Sequence, residues 1–363
     1  ASGTFTDCEV SGNALAGMAV QDSGTNPTVK KCRFTDGKQN GIFVCTGASG
    51  TFTDCEVSGN ALQGMAVQDS GTNPTVEKCR FTNGKANGIF VCTGASGTFT
   101  DCEVSGNALA GMAVQDSGTN PTVKKCRFTD GKQNGIFVCT GASGTFTDCE
   151  VSGNALQGMA VQDSGTNPTV ERCRFTDGKE CGIFVYNGAS GTFTDCEASG
   201  NAFAGMEVRN SGTNPTVEKC RFTDGKQGGI FVHDGASGTF TDCEVSGNAL
   251  QGMAIQGSGT NPTVEKCRFT DGKQNGIFVC TGASGTFTDC EASGNALAGM
   301  EVDSVANPTV ERCKFAKNAS YGVMIHFFCG GTFRNNTLTG NGAGAWKVGW
   351  FCGVERIGNT PNK

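Results

Sequence analysis

A repeat of 47 residues constrains the fold of this chain more than any other feature. The segment TVKKCRFTDGKQNGIFVCTG at 28–47 returns unchanged at 122–141. It alternates with a second segment of related pattern, which begins TFTDCEVSGNALAGMAVQDS at residue 4. A fixed internal period of this kind overrides the domain count that the length of the chain alone would suggest.

The residue pattern inside each half of the repeat predicts the fold class. Short alternating apolar and polar runs are separated by Gly, Asn, Asp and Ser, which indicates two or three short strands per coil. A strand-and-turn unit of about 20 to 30 residues cannot bury its own apolar face, so the coils must stack. We therefore predict an all-β, single-stranded, right-handed parallel β-helix (a solenoid) of about 15 coils. At roughly 4.8 Å per coil it would be a rod on the order of 70 Å long.

We place the β-helix at residues 1–340 and a C-terminal capping segment at 341–363. The capping segment contains both tryptophans of the chain, Trp346 and Trp350, and departs from the repeat. Solenoids require a structure that covers their open edge, which is the role we expect for it. Because the sequence opens within a repeat and without Met, we expect a fragment or a processed chain.

Stacking explains why charges change sign between the two halves of the repeat. Asp7 would lie beside Lys31, and Glu9 would lie beside Arg33 on the next coil. Identical coils would instead stack like charges, which is destabilising. Exposed ion pairs contribute little each, so their main expected effect is on the register of the coils.

One cysteine recurs in each coil, and we predict that these thiols form a buried, reduced ladder inside the solenoid. Free cysteine packs as a small apolar residue, and directly stacked Cβ atoms about 4.8 Å apart are wider than a disulfide prefers. The 21 cysteines of the chain favour a reducing, intracellular compartment over secretion, while the localisation otherwise stays unassigned. The predicted ladder comprises Cys8, Cys32, Cys55, Cys79, Cys102, Cys126, Cys149, Cys173, Cys196, Cys220, Cys243, Cys267, Cys290 and Cys313, with Asn336 in its place on the following coil.

Charge and hydropathy exclude two classes of partner. The formal net charge is −6, and phosphate binding needs a basic face, so nucleic acid is not expected as a partner. No apolar run reaches membrane-spanning length, so we expect no membrane partner either. The sequence contains no motif that calls for a cofactor.

Two stretches, NPTVEKCRFTDGKQNGIFV and GNALAGMAVQDSGTNPTV, resemble the parallel β-helix repeats of the F-box-only ubiquitin-ligase subunits. More broadly, they resemble the carbohydrate-binding and sugar-hydrolase class of β-helices. The shared elements are N-P-T at the start of a coil, D-G or G-N at the turn and G-[IM]-x-V at the end of a strand. The resemblance implies a β-helix that recognises substrate proteins.

The regularity of the repeat argues against a single active centre. A hydrolase or lyase site needs a local cluster of carboxylates or a calcium site, and such a cluster must break the repeat. Residues 1–47 and 95–141 are nonetheless identical. We therefore predict a non-enzymatic binding or scaffold protein that recognises a protein partner, or itself, through a repeated lateral surface. The alternatives are a carbohydrate-binding or carbohydrate-active β-helix and a self-assembling structural rod.

Three successive coils do break the pattern. Tyr186, Arg209 and His233 replace Cys or Gln in one column, and Glu207 enters a neighbouring column where Ala is usual. We predict that these residues share one exposed face, with Glu207 close enough to pair with Arg209, as a site for a ligand or partner. Neutral drift and catalysis are the alternatives. The polar residues just beyond them, expected on the same face, are Asn187, Asn210 and Asp234.

The same column changes again near the C-terminus, at Cys280, Asp303 and His326, with Glu301 adjacent. These side chains are a weak candidate for a metal site, and a surface histidine with other partners is the simpler interpretation.

A phenylalanine recurs in every second coil, and we predict an exposed stripe in which these rings alternate with Ala and Cys. Exposed apolar stripes mark interfaces, and aromatic residues often anchor them. The predicted stripe contains Phe43, Phe90, Phe137, Phe184, Phe231 and Phe278.

Overall fold

A computed structural model describes residues 2–361, so residue 1 and the last two residues of the predicted cap, 362–363, lie outside it. Within that range every regular element is a β-strand. No helix in the described residues has the length and apolar character needed to cross a bilayer. The chain divides into two compact units, Ala1–Glu180 and Cys181–Lys363.

In both units each full coil contributes one strand to each of three parallel sheets. In the first unit, the first sheet contains Thr4–Thr6, Thr28–Lys30, Thr51–Thr53, Thr75–Glu77, Thr98–Thr100, Thr122–Lys124, Thr145–Thr147 and Thr169–Glu171. The second sheet contains Glu9–Ser11, Arg33–Thr35, Glu56–Ser58, Arg80–Thr82, Glu103–Ser105, Arg127–Thr129, Glu150–Ser152 and Arg174–Thr176. The third sheet contains Met18–Gln21, Ile42–Cys45, Met65–Gln68, Ile89–Cys92, Met112–Gln115, Ile136–Cys139 and Met159–Gln162.

The second unit repeats this arrangement. Its first sheet contains Thr192–Thr194, Thr216–Glu218, Thr239–Thr241, Thr263–Glu265, Thr286–Thr288, Thr309–Glu311, Gly330–Arg334 and Gly353–Ile357. Its second sheet contains Glu197–Ser199, Arg221–Thr223, Glu244–Ser246, Arg268–Thr270, Glu291–Ser293, Lys314–Ala316 and Thr337–Thr339. Its third sheet contains Ile183–Tyr186, Ala204–Arg209, Gly228–His233, Met253–Gln256, Ile277–Cys280, Met300–Val302, Tyr321–Ile325 and Gly344–Val348.

The predicted parallel β-solenoid is therefore confirmed. The third strand of the coil recurs 15 times within residues 2–361, in agreement with the predicted number of coils. Large and small side chains alternate in the core from coil to coil. Phe52, for example, lies in register with Val29 on one side and with Val76 on the other. All three side chains are fully buried, as close packing requires.

The predicted ion pairs form in the Glu–Arg column. In the column of Asp and Lys or Arg, they form only in part. Arg33 Nε lies 3.3 Å from Glu56 Oε2, and equivalent Arg–Glu pairs recur along the second sheet. In the other column Arg172 Nε contacts Asp148 Oδ1 at 2.8 Å. Lys78 instead bonds the carboxylate of the residue that precedes it, at 3.0 Å. All of these groups are solvent-exposed, so each pair contributes little to stability.

The cysteine ladder faces inward, as predicted. Cys79 and Cys126 are at most 1% exposed, and the Cys79 thiol lies 3.5 Å from a backbone carbonyl of the neighbouring coil. A hydrogen bond with Cys102 and burial together raise the pKa of the Cys126 thiol, which makes it a poor nucleophile. Asn336 continues the ladder in the predicted manner, because its Oδ1 accepts a hydrogen bond from Cys313 N at 2.8 Å.

A second inward ladder was not predicted. In every second coil a buried Asn closes the turn after the second sheet; Asn107 Oδ1 accepts from Gly84 N at 3.0 Å, and its Nδ2 donates to Phe81 O at 3.0 Å. The neighbouring coil has glycine at the position of this Asn, and a Cβ at Gly84 would stand only 3.1 Å from Asn107 Oδ1. This contact explains why G-N turns alternate with glycine-rich turns in the sequence. The ladder in residues 2–361 includes Asn60, Asn107, Asn154, Asn201, Asn248 and Asn295.

Parallel strand pairing continues past residue 340, where we placed the end of the β-helix. Gly344–Val348 pairs in parallel with Tyr321–Ile325, and Gly353–Ile357 pairs with Gly330–Arg334. The described part of this segment, 341–361, therefore continues the solenoid, because Gly344–Val348 completes one coil and Gly353–Ile357 begins the next. Its sequence departs from the repeat, but the 23-residue spacing of the first sheet continues from Thr332 to its register partner Glu355. The capping role of this coil stays a prediction.

Candidate binding site on the third sheet

The register of the third sheet brings the predicted column together. Tyr186 lies in register with Arg209, and Arg209 lies in register with His233. Glu207 occupies the neighbouring column of the same strand, in register with Phe184 on one side and Phe231 on the other.

Glu207 is buried, which corrects the expectation that it lies on an exposed face. Its side chain is covered because the aromatic residues of both neighbouring coils lie beside it, and the whole residue is only 8% exposed. Glu207 Oε1 lies 2.9 Å from His233 Nε2, and Cys181 Sγ donates to Glu207 Oε2 at 3.2 Å. The predicted partner Arg209 is at 3.9 Å, so His233 is the closer one. A buried carboxylate needs such partners to offset its lost hydration.

The far side of the His233 ring contacts a second carboxylate. His233 Nδ1 lies 3.0 Å from Asp234 Oδ2, so both ring nitrogens face acidic oxygens. Nearby, Asn210 Oδ1 is buried and has no hydrogen-bond partner within residues 2–361. A buried acceptor without a protein partner is the type of atom that a bound water or a ligand hydroxyl satisfies.

Aromatic rings flank the polar groups. Phe184 and Tyr186 stack with their centroids 4.2 Å apart, and Phe231 and His233 stack at 4.1 Å. The guanidinium carbon of Arg209 lies 5.1 Å from the centre of the Phe184 ring. These contacts order the polar side chains, because stacking and cation–π attraction restrict their rotamers.

Sequence reasoning missed two members of the site, Cys181 and Phe203. Both depart from the repeat: Cys181 stands where Asn134 stands 47 residues earlier, and Phe203 stands where Leu156 does. Asn134 Oδ1 accepts a hydrogen bond from Gln157 N on the next coil, whereas the Cys181 thiol donates to Glu207. A search for all departures from the repeat, including apolar ones, would have identified them.

The predicted Phe stripe is not fully exposed, and its Cys members are buried, as are Ala66, Ala113 and Ala160. Phe184 is 8% exposed and the other five rings are half-buried, while Cys45 is 4% exposed. Five of the rings lie in register with a small Ala, as Phe43 does with Ala66, whereas Phe184 lies in register with Glu207. The exposed apolar residues of the repeat are leucines at the preceding turn: Leu15, Leu62, Leu109, Leu156 and Leu297.

A second Glu–His pair lies four coils further along the same sheet. His326 Nε2 is 2.7 Å from Glu301 Oε1, and Asn275 Nδ2 donates to Glu301 Oε2 at 2.6 Å. The chain has two histidines, and each is bound by a glutamate that replaces the usual Ala of the third strand. We call these pairs the Glu207–His233 dyad and the Glu301–His326 dyad.

The metal candidate of Cys280, Asp303 and His326 is not supported. His326 contacts Glu301, and Cys280 is 7% exposed, with a thiol pKa that burial raises. Within the described part of the chain, no group of three or more His, Cys, Asp and Glu side chains is placed to hold a metal ion.

A groove of about 240 Å³ lies between the two dyads. Phe231, which stacks on His233, and Phe278, which lies in register with Glu301, belong to its lining. Phe203 and Leu250 extend its apolar walls. The remaining lining side chains include three glutamines, Gln227, Gln251 and Gln256, and none of the lining residues is charged.

Several solved structures are similar in fold to this chain. The Vag8 complex with C1 inhibitor aligns with a TM-score of 0.59 at 15% identity, covering 98% of this chain and 98% of that chain. The mannuronan C-5 epimerase AlgE4 A-module of Azotobacter vinelandii aligns at 0.41 and 11% identity, covering 92% and 89%. Pectate lyase Pel9A aligns at 0.46 and 17% identity, covering 78% and 70%. At these identities the likeness concerns the fold alone.

No curated protein matches the chain in sequence. A family model described as a right-handed β-helix region matches residues 1–123, 67–222, 115–260 and 210–360. The handedness agrees with the sequence-based prediction, and the matched segments together extend over almost the whole chain. With its three parallel sheets and its stacked coils, the chain belongs to the right-handed β-helix family.

Proposed function

We propose that the second unit binds a neutral carbohydrate chain in the groove between the Glu207–His233 and Glu301–His326 dyads. The observation that carries this proposal is the composition of the groove, which combines aromatic walls with amide side chains and has no charged lining residue. Ligand sites are generally apolar clefts with a few polar groups that fix orientation. Sugars present both surfaces, because their rings have apolar faces and their edges have hydroxyls.

The groups at one end of the groove provide complementary hydrogen-bonding partners. The exposed Asp234 carries acceptor oxygens for hydroxyls, Arg209 supplies donors with a fixed geometry, and Glu207 holds the His233 ring in place. The distance between the dyads also favours an extended ligand. Four coil spacings amount to roughly 19 Å, which is longer than a single sugar ring.

The absence of charged residues from the lining favours neutral carbohydrates over acidic ones. Every residue of a polyuronate carries a carboxylate, and an unpaired charge against Phe231, Phe278 and Leu250 would lose hydration without compensation. We therefore assign the groove to neutral sugars and assign no catalytic step to it.

The proposal is tested by calorimetric titration of the protein with neutral gluco-, xylo- and chito-oligosaccharides and with oligogalacturonate as the acidic counterpart. We expect at least one neutral series to bind and oligogalacturonate to bind at least about tenfold more weakly. The double variant Glu207→Ala with His233→Gln, in which each new residue already occurs in its column, should weaken binding at least about tenfold. Leu109→Ser in the first unit is the matched control and should leave binding unchanged. Absence of binding by all three neutral series, or preference for oligogalacturonate, would contradict the proposal.

A second candidate function, recognition of a protein or of another copy of this chain, has a separate observation in its favour. Leu62, Leu109 and Leu156 are 45%, 38% and 38% exposed and recur at 47-residue intervals in the first unit. Such a column is suited to an interface. The narrower resemblance to F-box-only ubiquitin-ligase subunits stays a prediction within this candidate.

Self-association through the leucine column is tested by sedimentation velocity over a range of protein concentrations. We expect the wild-type protein to form dimers or larger species as concentration rises. The triple variant Leu62→Ser, Leu109→Ser and Leu156→Ser should remain monomeric at the same concentrations, because exposed side chains do not fill the core. A wild-type protein that is monomeric throughout would count against the self-associating form of this candidate.

A further inference from the structure

Two adjacent corners of the second unit expose large aromatic side chains. Phe327 and Phe328 follow the strand Tyr321–Ile325 and are 56% and 65% exposed. On the next coil Trp350 and Phe351 occupy the equivalent positions and are 72% and 78% exposed. The Phe328 and Phe351 rings stack with centroids 5.6 Å apart, so the two corners form one surface. We call these four residues the aromatic corner.

The backbone conformation of the aromatic corner does not favour large aromatic residues. Phe328 and Phe351 have φ angles of 64° and 62°, in the left-handed region that bulky residues rarely adopt. An earlier coil places Gly282, with a φ of 73°, at the same point before the first sheet. Glycine is the residue that this conformation favours, so the two Phe residues carry a conformational cost. Strain of this kind, where the fold offers a simpler residue, points to a function of the side chain itself.

The last coils also differ from the rest of the chain in charge. The whole chain has a formal net charge of −6. Between residues 312 and 361, however, Glu355 is the only acidic residue. Lys347, three residues before Trp350, is solvent-exposed and approaches the Tyr321 ring at 5.8 Å. Of the basic residues of this segment, Arg312, Lys314 and Arg334 are in ion pairs, whereas Lys317, Lys347 and Arg356 have no carboxylate partner among residues 2–361.

We propose that the aromatic corner binds the surface of a lipid bilayer that contains anionic lipids. Trp and Phe side chains insert at the boundary between headgroups and acyl chains, and nearby Lys and Arg side chains attract anionic headgroups. The contact is peripheral and needs no spanning segment. It therefore differs from the membrane partner that the sequence excluded on the length of its apolar runs. The proposal does not depend on carbohydrate binding, because the two sites use different residues.

The test is co-sedimentation with vesicles of phosphatidylcholine and phosphatidylserine in equal amounts, compared with vesicles of phosphatidylcholine alone. We expect the wild-type protein to bind the mixed vesicles, with weaker binding to the neutral vesicles and at high salt. Tryptophan emission should shift to shorter wavelength on binding. Because the chain has two tryptophans, the variant Trp350→Phe shows whether Trp350 causes the shift.

The decisive variant replaces the aromatic corner with the residues of the ordinary repeat: Phe327→Thr, Phe328→Gly, Trp350→Thr and Phe351→Gly. We expect vesicle binding to fall at least about tenfold, with the melting temperature unchanged or raised, because glycine relieves the positive φ angles. The leucine variant Leu109→Ser with Leu156→Ser is the matched control and should bind vesicles as the wild type does.

Three results would overturn the proposal. These are the absence of wild-type binding to the mixed vesicles, undiminished binding by the four-residue variant, and binding that the leucine control loses to the same extent. If the wild-type protein instead dimerises without lipid and the four-residue variant does not, the corner is an interface between copies of this chain.

Discussion

Gly135→Ala is expected to lower the free energy of unfolding by about 3 kcal/mol. A Cβ at this position would stand 2.3 Å from Val151 Cγ1, 2.7 Å from the Gly158 carbonyl oxygen and 2.8 Å from Asn154 Nδ2. Neither the carbonyl nor Asn154 can move freely, because the Gly158 carbonyl accepts from Ile136 N, while Asn154 accepts from Gly131 N and donates to Phe128 O. The added methyl group must therefore separate two coils or break the asparagine ladder, and urea unfolding measures the loss.

Gly353→Ala is the matched control for this prediction. A Cβ there would meet no atom within 4 Å, so we expect a change within about 0.5 kcal/mol. Equal effects of the two substitutions would contradict the prediction, because the loss of unfolded-state entropy on replacing glycine stabilises both variants alike and only the contact between coils distinguishes them.

The Glu207–His233 dyad is expected to respond asymmetrically to the removal of its two members. His233→Ala should lower the free energy of unfolding by about 2 to 3 kcal/mol, because it leaves the buried Glu207 carboxylate without its nearest cationic or hydrogen-bonding partner. Glu207→Ala should be neutral or stabilising, because Ala160 occupies the same position in the preceding repeat and is 1% exposed. Both variants are compared with the wild type by urea unfolding at one pH.

The equivalent changes at the second dyad provide an internal comparison. Glu301 retains the hydrogen bond from Asn275 at 2.6 Å when His326 is removed, so His326→Ala should cost less stability than His233→Ala. If Glu207→Ala proves strongly destabilising, the carboxylate is part of the structural core and not a residue placed there for binding.

Much of the fold was predictable because each coil supplies independent evidence for the same strands. The period places Phe52 beside Val29 and Arg33 beside Glu56 without any knowledge of coordinates, and the structure confirms both registers. The column of Tyr186, Arg209 and His233 was predictable for the same reason. Side chains with the same offset in successive coils must stack when strands pair in parallel.

The sequence by itself determined which residues share a column, while the tertiary structure decided how deeply each one is buried and which neighbours it contacts. Alternation along a strand indicates the side of the sheet but not the cover that neighbouring rings provide, so Glu207 was expected in solvent and is 8% exposed. Its partners Cys181 and His233 lie 26 residues away in opposite directions, and their distances depend on side-chain rotamers that no repeat specifies. The end of the chain is a second case in which the sequence pattern alone was not enough. Backbone pairing continues from Gly330–Arg334 to Gly353–Ile357 although the side-chain pattern has changed. Parallel pairing requires only backbone hydrogen bonds, which almost any residue except proline can provide.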